Sequence, residues 1–335
     1  MQSTSVVKHK NTGRLLIAAF LVMLLSAIVA LFFGSGSTSP AEILRAIFTM
    51  DTGSAAYRIF FYSRLPRVLG ALLAGSALSV SGVIIQAVLN NSLASPNIIG
   101  VNTGAGFFVL LIAAFFPSAY FLLPTAAFAG ALLACVIILI IAANASRLTL
   151  ILTGFVISSI FTAGMNAIMI FRPEAYVGSG TFLVGGLSGL TMTKIAYPAI
   201  YIIVGLLMAL LCGRDLNVIS LGSDTATSLG MRVKTKRFLL LSVAAVLAGA
   251  AVSFAGLIGF VGLVIPHAAR FIIGNDNKVV IPFSILLGGI FVALSDVLSR
   301  TLFAPYELPV GLLLAFVGCP FFMFLILKNK RKNYD

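Results

Sequence analysis

Charge is what this chain has least of. Only 9% of its 335 residues are charged and just nine are acidic, against about 25% charged residues in an ordinary soluble domain. A soluble fold of this length is excluded. Cysteine is nearly absent, and Cys135, Cys212 and Cys319 stand singly in apolar runs, with no spacing that suggests a disulfide framework or a metal site. The two histidines have no acidic neighbours in sequence, so nothing pairs a nucleophile with a base. The chain also lacks any GxxxxGK[ST] stretch, and with it the phosphate cradle needed to hydrolyse ATP.

Scarce acid bears on energy coupling too. An ion-driven carrier holds ionisable groups at mid-membrane depth, where a charge is costly and kept only for use. Only Asp296 comes close, and it lies one helical turn before Arg300, a spacing that reads as an intrahelical pair.

What is present is apolar. Hydrophobic residues make up 60% of the chain, the mean hydropathy is +1.13, and apolar runs continue from Leu15 to Leu327 with no polar stretch long enough for a separate unit. The reading is one all-α integral membrane domain over 1–335. A span needs about 20 apolar residues, fewer where a helix is broken. Spans fall near 15–34, 65–89, 101–116, 121–142, 148–171, 195–212, 238–258, 260–273, 279–303 and 309–327, ten in all. The third and eighth are short. Pro96 precedes one and Pro266 lies within the other, so both are expected to be discontinuous.

One pattern occurs twice, as ALLAGSALSVSGVI at Ala71 to Ile84 and AVLAGAAVSFAGLI at Ala245 to Ile258, at a constant offset of 174 residues. The copies lie in the second and seventh spans, an odd step of five, so the second copy crosses the bilayer in the opposite sense. Inverted repeats of this kind are a transporter signature. Ala71, Gly75 and Ser79, like Ala245, Gly249 and Ser253, recur every fourth residue, which lets helices approach closely. The stripe is read as scaffold rather than as a substrate contact.

Basic residues set the orientation. With the N-terminus inside, 15 of 22 lie in segments 1–14, 213–237, 328–335 and the other inner loops, as the positive-inside rule requires. The net charge of +13 then reports topology and anionic lipid contact, not nucleic acid. The first apolar segment has no small-residue cleavage site after it and is read as a retained helix. Seven basic residues fall outside, four of them between Arg45 and Arg67. Arg64 and Arg67 flank a proline in SRLPR, and Arg300 sits at the outer end of the ninth span. Guanidinium groups there either accept carboxylates from an outside partner or simply reach lipid headgroups.

SRLPRVLGALLAGSALSVSGVIIQAVLNNSLASPNIIGVNTGAG, GLIGFVGLVIPHAARFIIGNDNK and YELPVGLLLAFVGCPFF together resemble the iron-siderophore and vitamin B12 ABC importer permeases, the FecCD type. The resemblance covers nearly the whole chain. It implies ten spans per subunit in the vitamin B12 permease-like arrangement of type II importers. It also implies pairing with a second permease, identical or homologous, a cytoplasmic ATP-binding subunit on each, and an extracellular or periplasmic substrate-binding protein. No cofactor is implied in this chain, since ATP and magnesium belong to the partner ATPase. On the same resemblance, Arg64, Arg67 and Arg300 receive acidic residues of the binding protein.

The resemblance also places the ATPase contact in GRDLNVISLGSDTATSLGMRVKTKR, at Leu221, Gly222, Ser223, Asp224, Ala226, Leu229 and Gly230. Read by itself, that stretch is a short helix pair in which Ser223 caps a helix and Asp224 meets its positive end. The resemblance further implies that the fifth span helps line the translocation pathway, with Met165 and Asn166 as candidates, although Ser and Thr beside them commonly bond their own backbone. His267 reads as a packing residue. SGSTSPAEILRAIF reads as a short amphipathic helix on the outer surface, and the glycine-rich RPEAYVGSGTFLVGGLSGLT as a hinge or a loop.

The expectation is therefore a permease subunit of a bacterial ABC importer for ferric siderophores, not an enzyme, multi-pass in the plasma membrane with both termini cytoplasmic. The alternatives are a vitamin B12 or haem permease, or an ATP-independent secondary carrier.

Overall fold

The computed structural model describes residues 12–35, 38–141 and 147–332. Residues 1–11 and 333–335 of the two expected tails lie outside the described residues. Helix α1 (Thr12–Phe32) is followed by two short helices, α2 (Pro40–Thr49) and α3 (Ala55–Arg58). Then come α4 (Leu65–Leu89), α5 (Val101–Phe115), α6 (Leu123–Ile141), α7 (Arg147–Phe171), α8 (Pro173–Val184) and α9 (Met192–Leu211). The polar stretch folds as α10 (Gly213–Ser220) and α11 (Ser223–Ser228), ahead of α12 (Val233–Ala255), α13 (Val261–Ile273), α14 (Asn277–Thr301) and α15 (Val310–Lys332).

Seven of these stretches have the length and apolarity to cross a bilayer, and Val101–Phe115, Val261–Ile273 and Val310–Met323 are shorter apolar helices, which together make the ten spans. Three boundaries move. The second span does not begin at 65, because α3 runs through wider-wound turns at Ile59–Arg64 into α4 as one helix of 35 residues. Within those turns Leu65 donates its N–H to the carbonyl of Phe60 five residues back, a winding that makes room for Pro66, whose ring has no N–H to give. The loop expected to last until 237 ends sooner, as α12 already starts at Val233. At the other end the helix of the tenth span continues through Lys332, into the expected tail.

Pro266 does not break the eighth span. Helix α13 passes through it, and the carbonyl of Gly262, which loses its helical donor to the proline, lies 3.5 Å from the side-chain nitrogen of Gln86. The third span is preceded by a tight turn at Pro96–Ile99 that closes on Gly100 at φ +69°, so the chain re-enters the bundle abruptly.

The two repeat copies form the centre. Gly70 of α4 packs at Phe254 of α12, while Ser81 donates to the carbonyl of Ala244 at 2.7 Å. Residue numbers rise along one helix as they fall along the other, so the copies run antiparallel and the repeat is inverted. Each copy then packs against its own neighbour. In α4, Gly75 meets the backbone of Gly288 in α14, and Ser79 donates to the carbonyl of Ser284 at 2.7 Å. In α12, Gly249 faces Ala131 and Phe128 of α6. The pairs α4–α14 and α12–α6 are corresponding packings in the two halves, and the small-residue stripe is the seam of each.

Candidate functional site

At the SRLPR end of the bundle, the last turn of α1 offers carbonyls with no intrahelical donor. Arg64 donates to the carbonyls of Leu31 and Phe32 at 3.1 and 2.6 Å, and Arg300 to that of Ala30 at 2.7 Å. Helix α1 has no basic residue in its own last turn, so cations from two other elements fasten its negative end. Arg67, one turn beyond Arg64, donates from Nε to both oxygens of Asp296 at 2.9 and 3.0 Å and from Nη1 to Glu307 at 2.7 Å. The intrahelical Asp296–Arg300 pair is present at 3.3 Å, but Asp296 is shared with Arg67 and has become the centre of the cluster.

The sequence expectation of free guanidinium groups at the surface is thereby corrected. Arg64, Arg67 and Arg300 are 3%, 7% and 2% exposed, because the carbonyls of α1 and two carboxylates hold them inside. Glu307 was not foreseen as a partner, although it follows Tyr306 in the quoted YELPVG motif. Burial raises the Glu307 carboxyl, yet the hydrogen bonds from Ser35 and Arg67 and the nearby guanidinium charges outweigh it and leave it below the usual glutamate value. The cations exposed at this end are Arg45, Arg58, Arg172 and Lys194.

At the opposite end, α10 and α11 form a strapped element. Leu216, Ile219 and Ala226 are buried, while Leu221 and Leu229 are 62% and 64% exposed. Lys236 of α12 donates to Asp215 at 2.6 Å. Asn217 donates to Asp276 at 2.6 Å and accepts from the N–H of Asn277 at 2.8 Å. The element is thus tied to the first turns of both α12 and α14. Ser223 is not the cap expected of it. Gly222, at φ +113°, occupies the cap position, and Ser223 is the first helical residue, its hydroxyl 3.5 Å from a nitrogen of Arg237. Asp224 does sit in the first turn. The helix closes with Gly230 N–H to Thr227 carbonyl at 2.8 Å and Met231 N–H to Ala226 carbonyl at 3.0 Å, around Gly230 at φ +81°. That double closure needs the glycine.

Met165 and Asn166 part company. Met165 is half-buried and packs with Leu110 of α5 and Ala175 of α8. Asn166 is exposed on the face of α7 that also carries Ser159 and Thr162. Those two hydroxyls bond back to Phe155 and Ser158 at 2.9 and 2.8 Å, spending themselves within the helix. His267 stands edge-on to Phe321 with ring centroids 6.3 Å apart.

Ten apolar spans in two inverted halves, closed at one end by a buried ion cluster and carrying an exposed leucine pair on a strapped element at the other, define a transmembrane transport subunit. The chain belongs to the FecCD transport family, which it matches over residues 21–328, and is an ABC importer permease. It is 33% identical over 336 residues to the Fe(3+)-citrate import system permease protein YfmE of Bacillus subtilis, covering 99% of this chain and 100% of that one. To the iron(3+)-hydroxamate import system permease protein FhuG of the same organism it is 34% identical over 339 residues, covering 96% and 99%. A solved inward-facing structure of a metal-chelate type ABC transporter superposes with a TM-score of 0.83 at 27% identity, over 94% of this chain and 99% of that one.

Proposed function

We propose that this permease carries ferric chelates, siderophores among them, across a bacterial plasma membrane, driven by a separate ATPase. The observation that carries the reading is full-length similarity to permeases named for ferric citrate and ferric hydroxamate. The α10–α11 end faces the cytoplasm, as its basic residues require. There Leu221 and Leu229 enter the ATP-binding subunit, flanking Gly222, Ser223, Asp224 and Ala226, with Gly230 closing the segment. The ties to Asp215 and Asn217 then pass its movement to α12 and α14. A second permease, identical or homologous, covers the exposed face of α7, where Asn166 lies beside the pathway. At the outer end an acidic binding protein first meets Arg45 and Arg58. It engages Arg67 by exchanging its own carboxylate for Glu307, while Arg64 and Arg300 hold the mouth that it docks on.

Uptake of radio-iron as citrate, hydroxamate and catecholate chelates, with labelled cobalamin and haem in parallel, tests the cargo in a deletion strain carrying the gene on a plasmid. Restoration of one or more iron chelates is expected. Restoration of cobalamin or haem alone would overturn the cargo. Purification that never brings down an ATP-binding subunit would overturn the energy source and return the secondary carrier.

A further inference from the structure

At the α10–α11 end, the last turns of α4 and α13 and the first turn of α14 enclose a cavity of about 400 Å³. Gln86, Asn90, Asn91, Arg270, Asn275 and Asn277 line it, with serines 92 and 220 beside them. Its chemistry is one-sided, with a single cation, many amides and no carboxylate among the lining groups. Arg270 donates to the side-chain oxygen of Gln86, the residue whose nitrogen is turned towards Gly262. Among the described residues no carboxylate lies within 4.0 Å of Arg270, and no other hydrogen bond uses its guanidinium donors. Asp276, the nearest acid in sequence to Asn277, does not line the cavity and is engaged by Asn217 and by the N–H of Lys278 at 3.0 Å. Asn277 is 3% exposed.

A half-buried guanidinium with spare donors is half of an ion pair, and asparagine side-chain nitrogens are donors from which an oxyanion accepts. We infer that the cavity binds a phosphate-type oxyanion, with Arg270 supplying the charge and the asparagine amides the hydrogen bonds. The anion is either the phosphate of an acidic lipid headgroup or free phosphate. Phe271, next to Arg270, is exposed and offers an acyl chain an apolar surface beside the cation. Once occupied, the site joins the ends of three spanning helices to Ser220, the last residue of α10.

The test is thermal melting of the full permease in nanodiscs of phosphatidylcholine, with phosphatidylglycerol admixed in one arm and inorganic phosphate added in another. It reads binding, not uptake, and so stands or falls separately from the choice of cargo. A rise in Tm of several degrees with phosphatidylglycerol alone assigns a lipid headgroup, and a rise with phosphate assigns a free ion. Arg270→Gln removes most of that rise. Should that variant fail to fold, Asn90→Asp puts a carboxylate on the exposed rim, at a left-handed φ of 47° that aspartate tolerates, and it too abolishes the rise. Arg232→Gln, an exposed cation at the same end outside the cavity, keeps it. No rise in either arm, an undiminished rise in Arg270→Gln or in Asn90→Asp, or equal loss in Arg232→Gln would overturn the site.

Discussion

Asp296 holds two arginines that would otherwise repel one another. It is 1% exposed, and replacing it by asparagine leaves Arg67 and Arg300 buried with one negative charge fewer. Removing one partner of a buried ion pair costs about 3–5 kcal/mol, so Asp296→Asn should melt well below wild type in detergent. A change of less than about 1 kcal/mol, the scale of a surface pair, would show that the cluster is solvated after all. Glu307 gives a pH signature. Its carboxyl is held below the ordinary value of 4.5, so more protons are bound by the unfolded chain. Its contribution is fully present above that value and is lost as the pH falls through the depressed one. The Tm difference between wild type and Glu307→Gln should therefore narrow on acidification from pH 4.5 downwards. A difference that widens would reverse the sign of this argument.

The two central helices carry matching glycines that do unequal work. A Cβ on Gly75 would collide with the carbonyl of Gly288, which is backbone and cannot turn away. One on Gly249 would meet the Cβ of Ala131 at 3.2 Å and the ring of Phe128 at 3.4 Å, a tight approach to side chains that asks for a shift of only a few tenths of an ångström. Gly75→Ala should cost about 1–3 kcal/mol or more, the range for overpacking, while Gly249→Ala should cost clearly less. Equal melting temperatures for the two variants would mean that the seams are equivalent after all. The repeat was legible because identical residues recur at a fixed offset. Which copy is the tighter was not, since that depends on whether backbone or side chain stands opposite.

In the proposed function, movement enters the whole molecule through a small area. Leu221 and Leu229 flank α11, and their exposure on a polar connector is unlike the lipid-facing leucines of the spans. In the complex we propose, Leu221→Asp with Leu229→Asp should leave the melting temperature of the isolated permease within about 0.5 kcal/mol equivalent, as surface changes do. Co-purification of the ATPase should fall by at least about tenfold if 1.4 kcal/mol or more of contact is lost. Unchanged co-purification would place the contact elsewhere.

Membrane residence, ten spans, the inverted repeat and the polar connector followed from the sequence, because each depends on hydropathy, length or recurrence, properties that act along the chain. Even α2 could be read from Ser39, Pro40 and Glu42, which form the box that starts it, Glu42 accepting from the N–H of Ser39 at 3.0 Å. The direction of a side chain is not such a property. Arg64, Arg67 and Arg300 read as surface cations until tertiary structure set the end of α1, Asp296 and Glu307 against them. Pro266 read as a break until Gln86 came within reach of the carbonyl it frees. These partners lie far apart in sequence, Arg67 and Asp296 being 229 residues from each other, and only the folded bundle decided that they meet.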